Sequence, residues 1–124
     1  MNTTVYLNGR FLPYDQARIP ALDMAYLYGY GVFETLRVYN HVPFKLDKHL
    51  LRLADGAKFL GIEKPDQKEL TKSIKRLIKL NRLSNGRVRI TLSIEGADIV
   101  PALPKRRSGS LFIATTPLDM RSLE

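Results

Sequence analysis

The segment from Arg87 to Ile94 alternates side-chain character without a break: Val88, Ile90, Leu92 and Ile94 on one side, Arg87, Arg89, Thr91 and Ser93 on the other. Only a strand sends successive side chains to opposite faces, so this pattern demands a sheet with one buried face. The same period runs through residues 32 to 39. There Val32, Glu34, Leu36 and Val38 share one side, and Phe33, Thr35, Arg37 and Tyr39 share the other. Between the two stretches the period changes. Leu46, Leu50, Leu53, Ala54, Ala57 and Leu60 recur at three- and four-residue steps, which predicts a helix from 46 to about 60, stopped by Gly61. A second helix is expected after Asp66, with Glu69 as the other half of a capping box and Leu70, Ile74, Leu77 and Ile78 as its inner face.

The remaining segments add shorter strands. Asn8-Gly9 between Val5-Tyr6-Leu7 and Arg10-Phe11-Leu12 is a two-residue hairpin signal, because both turn positions need positive φ. Pro13 and Pro20 bracket an irregular stretch, and Asn40-His41 turns the chain into a short strand at Val42-Pro43-Phe44. Asn85-Gly86 closes the helical section. Leu111 to Thr115 reads as a last strand after a Pro- and Arg-rich excursion, and Thr116-Pro117 leaves it as an extended segment. The spacers are too short for repeated parallel crossovers. The expected fold is therefore α+β, a mostly antiparallel sheet with two helices packed on one face.

Composition narrows the function classes. A chain of 124 residues is the size of one domain. It has no cysteine, which excludes disulfides, thiolate metal sites and a cysteine nucleophile, and His41 and His49 alone cannot make a histidine-rich metal cluster. No apolar run approaches membrane length, and Met1-Asn2-Thr3-Thr4 lacks the regions of a signal peptide, so a cytoplasmic setting is the default. The net charge of +8 gathers at Lys68, Lys72, Lys75, Arg76, Lys79 and Arg82 and again at Lys105-Arg106-Arg107. Such stripes suit nucleic acid in some proteins, but on a helix they are more often a solvated face, which makes nucleic-acid binding the least favoured reading.

Two clusters carry chemistry. Gly29-Tyr30-Gly31 lets the backbone turn sharply ahead of the strand at 32, with both glycines free to take positive φ. Tyr30 is either an aromatic wall at a cavity mouth or a surface ring. On the first helix His49, Arg52 and Gly56 share a face distinct from the leucine stripe. Arg52 alone reads as a solvent-facing arginine or as an anion ligand, since a guanidinium binds phosphate through parallel charge-assisted hydrogen bonds. Arg87 and Arg89 project from one strand face. Their mutual repulsion calls for an anion, or for an acid such as Glu34 or Glu95, close by.

The run from Leu22 to Tyr39, followed by His49-Leu50-Leu51-Arg52-Leu53, resembles the opening segment of the class-IV (fold-type IV) aminotransferases, which include the branched-chain and D-amino-acid aminotransferases and the aminodeoxychorismate lyases. The resemblance implies the small domain of a pyridoxal 5'-phosphate enzyme, with residues 1–116 as that domain and 117–124 as the start of an interdomain linker. It implies that Arg52 holds the cofactor phosphate, with His49 in support. Tyr30, Phe33, Thr35, Arg37 and Arg89 would line the substrate pocket. Phe33 stands where the D-amino-acid enzymes have a tyrosine, Thr35 matches a threonine of the lyases, and Arg89 lies near a carboxylate-binding arginine of the branched-chain enzymes. Arg87 departs from an expected tyrosine, and Glu95-Gly96 replaces Arg-Gly. The nine lysines sit in no motif, so the catalytic lysine is expected beyond Glu124 and the chain alone is expected to be inactive. The partners implied are a small amino or keto acid and a second copy of the chain, as a homodimer. Alternatives are a lyase releasing pyruvate and a non-catalytic binding module.

Overall fold

A computed structural model describes residues 3–94 and 109–118. Six strands form one sheet in the order β2-β1-β6-β5-β3-β4. They are β1 (Thr4–Leu7), β2 (Arg10–Pro13), β3 (Gly31–Tyr39), β4 (Val42–Pro43), β5 (Gly86–Ile94) and β6 (Gly109–Pro117). Every pairing is antiparallel. Three α-helices accompany the sheet: α1 (Met24–Tyr28), α2 (Leu46–Leu60) and α3 (Gln67–Leu80). This is the α+β architecture that the two periods predict.

The alternating strands fix which face is buried. Leu36 and Val38 of β3 and Val88, Ile90, Leu92 and Ile94 of β5 pack with Leu50, Leu53 and Ala57 of α2 and Leu70, Ile74 and Leu77 of α3 in one cluster. Each aliphatic side chain buried in this way contributes about 1.5–3 kcal/mol, so the parity of the strands is strongly held. The turns follow their residue types. Asn8 and Gly9 take φ of 48° and 90°, and Asn40 and His41 take 48° and 69°. Gly61 ends α2 in the left-handed region, and Asp66 caps α3 by accepting a hydrogen bond from the Glu69 N–H at 3.0 Å. At the far end of α3, the Asn81 amide accepts from the Thr4 N–H and donates to the Thr4 carbonyl, both at 2.8 Å, tying the helix to β1.

Two expectations need correction. The stretch before β3 contains a helix as well as a loop. Asp23 caps α1, its Oδ1 accepting from the N–H groups of Ala25 and Tyr26 at 2.9 and 3.1 Å. The glycines that follow also differ in purpose. Gly29 ends α1 at φ 73°, whereas Gly31 is absent from the positive-φ residues and is needed for space: a Cβ there would lie 2.9 Å from the Ala25 Cβ. Second, β6 extends through Pro117. Thr116 and Pro117, read from sequence as a departing segment, pair with Arg87 and Gly86.

Candidate functional site

One turn of α2 brings His49 and Arg52 to the same side of the helix, and β3 meets them with a carboxylate. Glu34 Oε2 lies 3.3 Å from His49 Nδ1, and Glu34 Oε1 lies 3.1 Å from Arg52 Nε. The helix can come this close because residue 56 is glycine; a Cβ there would meet Val32 Cγ1 at 2.9 Å. Val32 and Glu34 lie on the same side of β3, so one strand supplies both the steric fit and the counter-charge. Glu34 is only 10% exposed while the Arg52 side chain is 73% exposed. The ion pair is made at Nε, the inner edge of the guanidinium, so the side chain is held from within while it reaches outward. That donor set suits an oxyanion with several acceptor oxygens, and phosphate fits it.

The opposite face of the sheet presents a different surface. Register places Phe33, Thr35 and Arg37 of β3 across from Thr91, Arg89 and Arg87 of β5. Phe33 is 58% exposed, and the Arg89 guanidinium carbon sits 4.0 Å from its ring centroid. The Arg37 guanidinium carbon lies 5.4 Å from the Tyr39 ring, and Arg37 Nε is buried without a hydrogen-bond partner. Glu34, offered by the sequence as a neighbour for Arg87 and Arg89, points to the other side and is taken by His49 and Arg52. Glu95 lies outside the described residues. Further along this face a cavity of about 460 Å³ is lined by Ile19, Pro20, Tyr26, Thr91, Ser93 and Phe112.

The structure thus groups Phe33, Thr35, Arg37 and Arg89 on the open face and places Arg52 on the side covered by α2, against Glu34. The two groups are neighbours around β3. β4 pairs with Val38 and Tyr39, and the Phe44 N–H donates to the Arg37 carbonyl at 2.8 Å, so among the described residues no strand covers the outer edge of β3 from Gly31 to Leu36. Tyr30 stands apart. It is half-buried, packs against the core cluster and lies 5.8 Å from the Tyr28 ring, so it braces the loop. Sequence reasoning missed Glu34 as a site residue and Asp23 altogether; Asp23 Oδ2 accepts a 2.6 Å hydrogen bond from Ser93 Oγ. The available signal for both was an acid in an otherwise apolar setting, which burial forces to find a partner.

The basic helix stripe is a solvated face: Lys68, Lys72, Lys75 and Lys79 are exposed, and Arg76 lies 4.7 Å from the Phe11 ring. Lys105-Arg106-Arg107 falls outside the described residues. Among the described residues no three His, Cys, Asp or Glu side chains gather as metal ligands, and no helix is long and apolar enough to cross a membrane.

This geometry has relatives. The chain is 41% identical over 91 residues to the aminodeoxychorismate lyase of Bacillus subtilis, an alignment covering 73% of this chain and 31% of that protein. It is 32% identical over 117 residues to a putative branched-chain-amino-acid aminotransferase of Methanocaldococcus jannaschii, covering 92% of this chain and 40% of that one. Among solved structures, the branched-chain aminotransferase of Thermoproteus uzoniensis superposes with a TM-score of 0.84 at 27% identity, over 94% of this chain and 41% of that chain. The chain therefore spans about a third to two fifths of the length of the relatives it matches. The sequence profile described as amino-transferase class IV matches residues 31–123, from the first residue of β3 onward and across Glu34, Arg52 and Arg89, and the chain belongs to that family.

Proposed function

We propose that this chain is the small domain of a pyridoxal 5'-phosphate enzyme that transfers the amino group of an amino acid to a keto acid, and that it supplies the cofactor-phosphate arginine and one wall of the substrate pocket. The observation that carries the reading is the Glu34–Arg52 pair, which fixes a guanidinium at Nε and leaves most of the side chain in solvent. When bound, the cofactor supplies an electron sink for bonds at the substrate α-carbon. The residues of this chain bind and orient. Arg52 takes phosphate oxygens through its outer N–H groups, Glu34 holds it in place, and His49 shares the same carboxylate. On the open face Arg89, set against the Phe33 ring, takes a substrate carboxylate, while Thr35 offers a hydroxyl between them. Tyr30 supports the loop behind this wall.

The catalytic lysine belongs, on this reading, to residues beyond Glu124, and the whole protein is a cytoplasmic homodimer. A second reading, release of pyruvate by a lyase, is favoured by the exposed Thr35 and by the similarity to the Bacillus subtilis lyase. The test uses the full-length protein. Titration with pyridoxal 5'-phosphate should give a saturable absorbance change that Arg52→Ala weakens, while binding of pyridoxal, which lacks the phosphate, is unaffected. Equal weakening for both ligands, or no uptake at all, would overturn the proposal. An amino-donor screen run beside a pyruvate assay then separates transfer from release.

A further inference from the structure

The C-terminal end of α3 gathers more positive charge than the fold answers. A cavity of about 430 Å³ there is lined by His41, Lys75, Ile78, Lys79 and Arg82. That volume falls within the range of small-molecule sites, about 300–1,000 Å³. Ile78 is buried, and every other lining residue is basic. Among the described residues both ion pairs use Glu34, and the cation–ring contacts are made by Arg37, Lys45, Arg76 and Arg89. Neither an acid nor a ring there answers Lys75, Lys79 or Arg82. The negative end of the helix dipole is equivalent to about half an elementary charge, too little for three cations.

The backbone gives an independent sign. α3 ends with the Leu83 N–H donating to the Ile78 carbonyl at 3.0 Å and the Arg82 N–H to the Lys79 carbonyl at 3.2 Å. Such an ending puts the residue after the cap in the left-handed region, where glycine is the usual choice, yet Arg82 stands there at φ 50°. The turn between β3 and β4 repeats the pattern. Its second position, also usually glycine, is His41 at φ 69°. Side chains held in that region cost energy and cluster at ligand sites. Both of these line the same cavity. The two segments are tied together as well: the His41 N–H donates to the Ser84 carbonyl at 2.8 Å, and His41 Nδ1 lies 3.1 Å from the Leu83 carbonyl oxygen. A carbonyl only accepts, so Nδ1 carries the proton and Nε2 is left for a ligand.

We infer that this cavity binds a compact phosphate-type anion with at least two negative charges, at a site separate from the cofactor-phosphate arginine. Arg82 supplies a fork of parallel donors, and Lys75 and Lys79 supply point charges. His41 Nε2 accepts from a protonated phosphate oxygen or, once protonated, donates to an ionised one. The basic stripe of α3 as a whole stays solvated; at its end the turn after β3 makes the charged face concave. From Glu34 to Tyr39, where that turn begins, β3 runs about 17 Å, so a diphosphate held here does not reach the carboxylate that holds Arg52.

The test titrates the full-length protein with pyrophosphate by calorimetry at an ionic strength of about 0.15 M, where the screening length is about 8 Å. Arg82→Gly should weaken binding at least about tenfold, as loss of a charge-assisted contact implies. Its unfolding midpoint should not drop, because glycine takes the left-handed conformation without steric cost. Lys79→Gln, at an exposed helix position, should weaken binding by a similar factor. Arg52→Ala should leave it unchanged. Lys68→Gln removes the same charge about 16 Å along α3 from Lys79 and should change affinity by less than about twofold. Absence of any binding event that Arg82→Gly weakens and Arg52→Ala spares would overturn the inference. So would an equal loss in Lys68→Gln and Arg82→Gly, which would mark a diffuse field over the helix in place of a site.

Discussion

The two faces of the sheet handle positive charge in opposite ways. Under α2, one carboxylate answers a guanidinium and an imidazole: Glu34 is nearly buried and holds both Arg52 and His49. On the open face three arginines gather with aromatic rings and, among the described residues, without an acid. The covered face spends its charges internally, which fixes geometry. The open face leaves its charges unanswered, which attracts something external. A surface that only needed to fold would have no reason to set Arg37 opposite Arg87.

The largest test of this contrast takes neighbours on β3. Leu36→Ala should cost about 2–5 kcal/mol of stability by opening a cavity in the core, and Thr35→Ala about 1 kcal/mol or less, through strand propensity alone. Denaturant midpoints of the two variants check it, and similar costs would mean that both faces are structural. Next in size is Arg52→Ala. Loss of charge-assisted contacts to phosphate should weaken cofactor binding by about tenfold to a hundredfold. Stability should fall by no more than about 1 kcal/mol, because pairs made by exposed side chains contribute about 0–1 kcal/mol.

The fold was more legible than the site, for a physical reason. Periods of two and of three to four residues are imposed by burial, and burial is what apolar side chains record; hence β3, β5, α2 and α3 stood out. α1 was not readable because five residues are too short to show a period, and its stability comes from Asp23, which also binds Ser93 on a strand seventy positions away. Within the site, the shared face of His49, Arg52 and Gly56 was visible as helical spacing. The identity of their partner was not. Strand parity put Glu34 among core residues but could not say which cation it would meet, so an arginine pair on the far face was an equally available partner. Gly31 shows the same limit. In sequence a glycine there signals freedom to bend, while the fold uses it as room for Ala25.

Glu34→Gln probes the covered side more gently. The amide keeps the shape and loses the charge, so Arg52 Nε and His49 Nδ1 retain a neighbour of the same size but a weaker acceptor. Stability should fall by about 1–2 kcal/mol, in the range for a buried charged hydrogen bond. Cofactor affinity should fall severalfold, less than in Arg52→Ala, since the guanidinium remains but is held less firmly. Titration with pyridoxal 5'-phosphate alongside thermal unfolding separates the two effects. A full loss of binding with unchanged stability would make Glu34 a direct ligand in place of a positioning residue.

The smallest effect is the most diagnostic, because its sign differs between the faces. Removing a positive charge from an unanswered cluster relieves repulsion, so Arg87→Met should raise stability by a few tenths of a kcal/mol at low salt. Removing one from a satisfied pair does the reverse, so Arg52→Met should lower stability by up to about 1 kcal/mol. Both shifts should shrink toward 1 M salt, where the screening length falls to about 3 Å. Denaturant midpoints at low and high ionic strength measure the pair of variants together. A destabilising Arg87→Met at low salt would show that this arginine already has a counter-charge within the protein, and the contrast between the two faces would then be one of shape alone.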